Sequence, residues 1–472
     1  MKTAGPRIAV AAGYMPFFDE IMPAGYRADR DAYGRSVAEI ARTVGDVTYL
    51  GLMHDQASGQ AAGKALAGLG ADAILLAPTM ATPAQYLWSV VESNPTLPVV
   101  IWAAYETGKI SPTYDMVELC RHSQNVGALM TGNMLARAGR PFVVVAGERD
   151  DAATQAELHE ALTVAALAGR LRRSRIGRLG RPLDGYSNVD VDAADLEEAT
   201  GIELVEIGLD EWNETLSSVS PHAIEAVLGR LRQNAELDDR GQPQAVLAAG
   251  RMAAALQETA QRHGLCAGTM NCRGAFGVTN SICPSLGCLA TTHATSIGIP
   301  FACTGDVITA IAMAAGRGLG GAALYCELDA IDTGRDAFLC ANTGEGDYGW
   351  SDRNAGSCKI FTSGTDSGRN APGCSVRQSL RPGPATMIGF TPRAGATGGF
   401  VLIAMEGEVE DPPQVQLSVS SAWFRADTRP MRRAFARWAE AGATHHGSLS
   451  PGRQARKLEL LARFLGIGFE RI

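Results

Sequence analysis

Short apolar runs alternate with helix-period segments through the first 150 positions of the chain. The runs Ile8–Ala12, Val47–Leu50, Ala73–Leu76, Val99–Ala103 and Phe142–Val145 each end in a turn. Helix-period segments lie between them, around Arg30–Val44, Gln56–Leu69, Ala84–Glu92 and Asp115–Ala138. Strands and helices alternating at this spacing predict a parallel, doubly wound sheet. A second α/β unit follows to about Gly321, with a long helix through Ala245–His263, a strand near Ala267–Asn271 and an amphipathic helix after Asp306. From Ala322 onward strand signals dominate, at Ala323–Cys326, Ala337–Cys340, Met387–Phe390, Phe400–Ala404 and Val415–Ser418. Two helices, Arg429–Ala441 and Arg453–Leu465, close the chain. The predicted fold class is α/β: two doubly wound parallel-sheet domains, residues 1–168 and 169–321, then a β-rich α+β C-terminal domain, residues 322–472.

Composition narrows the functional classes. With 472 residues, 46% hydrophobic and 19% charged, the chain is neither disordered nor a membrane bundle. Its net charge of −8 provides no global basic footprint for nucleic acid. No apolar leader with a small-residue cleavage site precedes the first strand, and no run of eighteen apolar residues occurs, so a cytoplasmic location with reduced thiols is expected. No Gly-x-Gly-x-x-Gly follows the first strand, which argues against a dinucleotide site. Residues 170–181 hold six arginines in twelve positions, the pattern of a solvated linker, a subunit contact or an anion-binding segment. Nine of the ten cysteines fall between Cys266 and Cys374 without a Cys-x-x-Cys, which predicts buried small hydrophobes rather than a zinc or iron–sulfur site.

Candidate chemistry gathers in four places. His445 and His446 stand in a Gly/Ser/Pro-rich segment that reads as a loop; one of them can hold a metal while the other meets substrate. Thr304 and Asp306 occupy the turn before a helix, where Asp306 fits an N-cap. Glu327 and Asp329 alternate onto one strand face, and two carboxylates placed so invite a divalent cation. Glu345 and Asp347 lie in a Gly-rich turn.

These segments resemble the L-fucose/L-arabinose isomerase superfamily, in order and over most of the chain. GIPFACTGDVITAIAMA is similar to the family's acidic segment leading into a helix, and LYCELD to the following strand with its acidic metal ligand. AGATHHGSLS resembles the C-terminal His-His loop, whose second histidine binds the metal. RHSQNVGALMTGNMLARAGRPFVVVAGERDD and RIGRLGRPLDGYSNVDVD resemble the segments that end the first domain and open the next. The resemblance implies a three-domain fold, a homo-oligomer that is hexameric or trimer-based, and Mn²⁺-dependent (or Mg²⁺-dependent) aldose–ketose interconversion. It makes Glu327 and His446 metal ligands and gives His122, His445 and Asn342 substrate-side positions. One departure stands out: the family's other acidic ligand, often its acid/base, falls on Thr304.

Moving a proton between adjacent sugar carbons needs a cation to stabilise the enediolate and groups that shuttle protons. A threonine hydroxyl is no carboxylate, so Asp306 and Asp329 become the catalytic candidates beside Thr304. The leading expectation is a metal-dependent isomerase acting on an unphosphorylated sugar, since no phosphate loop is present. The alternatives are an epimerase or lyase on a polyhydroxy or keto acid compound, or a non-catalytic sugar-binding protein.

Overall fold

The computed structural model describes residues 5–238, 242–272, 285–352, 358–362, 373–411 and 415–472. The chain divides into two compact units, Lys2–Arg172 with Leu460–Gly466, and Arg173–Glu459 with Ile467–Ile472.

The first unit is built on five parallel strands: β1 (Arg7–Gly13), β2 (Asp46–Met53), β3 (Ala73–Pro78), β4 (Val99–Tyr105) and β5 (Phe142–Glu148). They lie in the order β2-β1-β3-β4-β5. Strands β1, β3 and β4 are buried on both faces, which is why they read as continuous apolar runs rather than alternating ones. The single helix expected over Asp115–Ala138 is two, Met116–Arg121 and Gln124–Arg137. The break has a local cause: the Ser123 hydroxyl donates to the Cys120 carbonyl at 2.7 Å, competing with the helical backbone.

In the second unit β6 (Arg175–Leu179), β7 (Glu203–Ile207), β9 (Leu265–Met270) and β10 (Phe301–Cys303) form a parallel sheet in the order β10-β9-β6-β7. The short β8 (Ala235–Leu237) pairs instead with β13 (Cys358–Thr362), which pairs with β14 (Cys374–Arg377). The arginine-rich segment is therefore not a linker: it contains the last turn of the helix Ala152–Leu171 and then an inner strand. Among the described residues, three of its six arginines pair with carboxylates of the chain, Arg170 with Asp72 among them. Arg175 donates to both Glu203 oxygens at 2.9 Å, and the buried Arg178 bonds Glu206 on β7 and Asp190.

The C-terminal strands close on themselves. β11 (Leu324–Asp332), β12 (Ala337–Ala341), β15 (Gly383–Pro392), β16 (Phe400–Val409), β17 (Ser421–Ala426), β18 (His446–Pro451) and β19 (Gly468–Arg471) run in the order β15-β18-β11-β12-β17-β16-β19, and β15 also pairs with β16. That extra pairing makes a six-stranded ring with β19 appended, so the ring has no free edge. Leu324, Cys326, Phe338, Cys340, Met387, Phe424 and Leu449 pack in its core. Val415–Ser418 is not a strand. Val415 and Leu417 are only half-buried, and the strand falls a few residues later, where Ala422, Phe424 and Ala426 enter the core.

The helix Val307–Gly320 sits between the parallel sheet and the ring, touching β9 and β10 on one side and β15 and β18 on the other. Residues Val307 through Gly316 are all buried. Close approach requires glycine at 316, where a Cβ would stand 2.2 Å from the Ser450 hydroxyl of β18. This helix ties the N-terminal residue Asp306 to the start of β18. Among the described residues, no helix is long and apolar enough to cross a membrane.

Candidate metal centre

Strands β11 and β18 are antiparallel neighbours whose register sets Glu327 directly opposite His446 and Tyr325 opposite Ser448. Alternation along β11 sends Leu324 and Cys326 into the core of the ring and leaves Tyr325 and Glu327 on the other face. His446, expected in a loop, is the first residue of β18 and is 3% exposed; only His445 stays outside the strand. Residues of opposed strands come within side-chain reach, so an acid and an imidazole meet without any loop to position them.

His446 is held at both ring nitrogens. Nδ1 donates to Asp306 Oδ2 at 2.8 Å, and Nε2 stands 3.1 Å from Glu327 Oε1. The other Asp306 oxygen accepts the Thr309 amide at 2.8 Å, so the same fully buried carboxylate caps the helix Val307–Gly320. Burial opposes charge on the His446 ring, but the two carboxylates outweigh it and push its pKa up to about 9. Tyr325 packs on the His446 ring at 4.6 Å between centroids, and its hydroxyl lies 3.4 Å from Thr304 Oγ1. Burial and then the Asp306 charge drive that phenol well above its usual range.

Thr304 holds a left-handed φ of +56°, uncommon for a β-branched residue. Gly305 beside it has φ +81°, and a Cβ there would sit 2.6 Å from the Pro182 nitrogen. The turn therefore lies directly on the loop that leaves β6. That loop reaches the histidines as well: Tyr186 meets His445 edge-on at 5.2 Å, and the Asn188 amide lies 3.1 Å from His445 Nδ1 and 3.0 Å from Thr444 Oγ1. His445 and His446 rings are 3.8 Å apart. Burial and then the neighbouring His446 charge lower the His445 pKa.

Ligand atoms of Glu327, His445 and His446 all lie within 4.8 Å of one another, one carboxylate and two imidazoles suited to a divalent cation. Beside them opens a cleft of about 850 Å³ at the carboxyl ends of β6, β7 and β9, lined by Arg181, Asp184, Tyr186, Glu206 and Asn271. Since β7 and β9 flank β6, the chain reverses direction at this point, the usual location of ligand sites in open parallel sheets.

The remaining sequence candidates fall as follows. Asp329 is the extra residue of a β-bulge between Leu328 and Ala330, which breaks the strict alternation expected to pair it with Glu327; it is exposed. Burial and the Glu327 charge raise its pKa. Asn342 follows β12, accepts from the Thr343 amide, and has a buried Nδ2 without a hydrogen-bond partner. His122 belongs to the first unit, where it ends the helix Met116–Arg121 with its ring stacked on Tyr114 at 5.9 Å. Tyr325 has no signal in the sequence, and Glu345 reads there only as part of a Gly-rich turn. Glu345 is buried behind the Thr343 hydroxyl at 3.4 Å, and its charge acts on Tyr325. Nothing in a Gly-Glu-Gly turn signals that burial. Seven of the clustered cysteines are buried, Cys266 is half-buried, and Cys283 lies outside the described residues. Cys326 and Cys340 hydrogen-bond to each other, and that bond together with burial holds the Cys340 thiol well above its ordinary range.

Comparison with known proteins adds the following. The chain finds no match among curated proteins. A solved ABC transporter solute-binding protein from Burkholderia multivorans overlaps 57% of this chain and 80% of its own at 13% identity, with a TM-score of 0.15. Residues 331–468 match the family described as the L-arabinose isomerase C-terminal domain, a span that includes most of the ring and both His445 and His446. That match makes the C-terminal part of the chain similar to L-arabinose isomerases, in agreement with the resemblance read from the sequence.

Proposed function

We propose that the protein is a metal-dependent enzyme that interconverts an aldose and a ketose through an enediolate, on an unphosphorylated sugar or sugar derivative. The observation that supports it most is the meeting of Glu327, His445 and His446 beside a cleft whose wall carries Arg181, Asp184, Tyr186 and Asn271. A divalent ion bound there, Mn²⁺ or Mg²⁺ by the family resemblance, would polarise adjacent carbonyl and hydroxyl oxygens of an open-chain sugar. Asp306 acts through His446: it accepts the hydrogen bond of Nδ1–H and so leaves Nε2 to ligate, the common outer-sphere arrangement for a metal-bound histidine. We read it as a positioning residue, because both of its oxygens are already engaged. Asp184, Asn271 and Tyr186 supply polar groups on the cleft wall for sugar hydroxyls. Proton transfer falls to carboxylates near the site, with Asp329, raised above the ordinary aspartate range, and the buried Glu345 as the available pair.

A second reading has one observation in its favour. Position 304 offers a neutral hydroxyl on Tyr325 where the resemblance places a carboxylate, which suits epimerisation or carbon–carbon cleavage of a polyhydroxy or keto acid compound. Incubation of an aldose panel with the full-length protein and Mn²⁺ in D₂O separates the two. Ketose formation, with deuterium at the carbon next to the carbonyl, is the expected result. If no aldose yields ketose while a sugar acid exchanges deuterium or fragments, the isomerase reading is wrong.

A further inference from the structure

The expected acidic partner of Glu327 is missing at position 304, yet a third ligating side chain stands in reach. We infer that His445 takes the place of that carboxylate, so that the ion is held by one carboxylate and two imidazoles, and that the site thereby selects a borderline ion (Co²⁺, Ni²⁺ or Zn²⁺) over Mn²⁺ or Mg²⁺. This rests on the reading of Glu327, His445 and His446 as a metal site.

The geometry supports it on three counts. Ligand atoms of all three residues fall within 4.8 Å of one another, and Thr304 instead turns its hydroxyl to Tyr325 at 3.4 Å. The His445 ring is fixed rather than loose: Tyr186 meets it edge-on, the His446 ring lies 3.8 Å away, and Nδ1 faces the Thr444 hydroxyl at 3.2 Å and the Asn188 amide. With Nδ1 engaged there, Nε2 is the nitrogen left to ligate. Exchanging a carboxylate for an imidazole removes one negative charge and one hard oxygen from the set. Hard ions such as Mn²⁺ and Mg²⁺ lose most by that exchange, whereas ions later in the first-row series favour imidazole nitrogen.

The test is calorimetric titration of the metal-stripped full-length protein with Mn²⁺, Mg²⁺, Co²⁺, Ni²⁺ and Zn²⁺, together with the Co²⁺ absorption spectrum. His445→Ala and His445→Asn should weaken Co²⁺ and Ni²⁺ binding about 10- to 100-fold, shift the Co²⁺ bands, and leave Mn²⁺ binding much less affected. Thr304→Glu should narrow the gap by strengthening Mn²⁺. His445 is exposed, so both replacements should leave the fold intact, and thermal unfolding of the variants checks this. If the His445 variants keep the wild-type Co²⁺ spectrum and affinities, His445 is no ligand and the inference fails while the site stands. If Glu327→Ala and His446→Ala also bind every ion as the wild type does, the metal-site reading itself fails.

Discussion

Asp306 and His446 are 140 positions apart, and a 2.8 Å hydrogen bond joins Asp306 Oδ2 to His446 Nδ1 in a fully buried pair. Because the other oxygen of Asp306 caps a helix, one carboxylate fixes both the helix start and the direction of the imidazole. Asp306→Asn and Asp306→Ala pull these roles apart. Asparagine keeps an oxygen for the Thr309 amide but turns an NH2 group, a donor, toward His446 Nδ1. Both variants should bind divalent metal about 10- to 100-fold more weakly. Only the alanine should also lose the cap, at about 1 kcal/mol. Metal titration and calorimetric unfolding of both variants check this. Wild-type metal affinity in Asp306→Asn would mean that the carboxylate does not orient the ring.

Much of the fold is legible in the sequence because its cores are continuous. β1, β3 and β4 read as unbroken apolar runs since helices cover both faces, and Glu327 and Asp306 stand out as carboxylates in apolar company. What the sequence hides is long-range pairing. That His446 belongs to a strand follows from its register with Glu327, which no local pattern encodes. Arg178 reads as surface charge until Glu206 on the adjacent strand matches it. Glu345 and Tyr325 are hidden for the same reason, since burial in a turn and the face of a strand depend on partners far along the chain.

His293 gives a pH signature unrelated to the metal centre. It is 5% exposed with Nε2 on Gln257 Oε1 at 2.9 Å, and burial, helped by the Arg230 charge, pushes its pKa down to about 4. In the unfolded chain it titrates near 6.5. The depressed value means that its contribution is fully present above about pH 6.5 and is lost as pH falls through about 4, because the unfolded state takes up the proton first. The total is about 3 kcal/mol at roughly 1.4 kcal/mol per pKa unit. His293→Gln should flatten the fall in stability over this window. Equal slopes for the two proteins in denaturant titrations at pH 7, 6, 5 and 4 would count against it.

Arg317 and Asp347 make a pair that is expensive to break. Arg317 Nη1 donates to Asp347 Oδ2 at 2.6 Å, and this fully buried carboxylate also accepts the amides of Ala323 at 3.1 Å and Gly349 at 2.9 Å. Burial already raises the Asp347 pKa against the lowering pull of Arg317. Arg317→Met should therefore cost about 3–5 kcal/mol. The raised pKa would rise further, so the loss should be larger at pH 8 than at pH 5, where protonation relieves the buried charge. Adding Asp347→Asn should restore part of the stability; a double variant no more stable than the single one would show that the buried charge is not the cause.

The bulge at Asp329 makes the last distinction, between two acids two residues apart on β11. Glu327 faces His446 across the strand pair and belongs to the ligand group, whereas Asp329 is the unpaired extra residue and lies outside that group. Glu327→Gln keeps the shape but offers a neutral oxygen, and should reduce metal affinity by about 100-fold or more, as loss of an anionic ligand does. Asp329→Asn should leave affinity within about threefold, since it removes only a nearby charge in a solvent-exposed setting. Its effect should appear in turnover instead, as a lower kcat at saturating metal, if its raised pKa serves proton transfer. Equal losses of metal affinity in the two variants would show that the strand carries both carboxylates to the ion and that the bulge does not separate them.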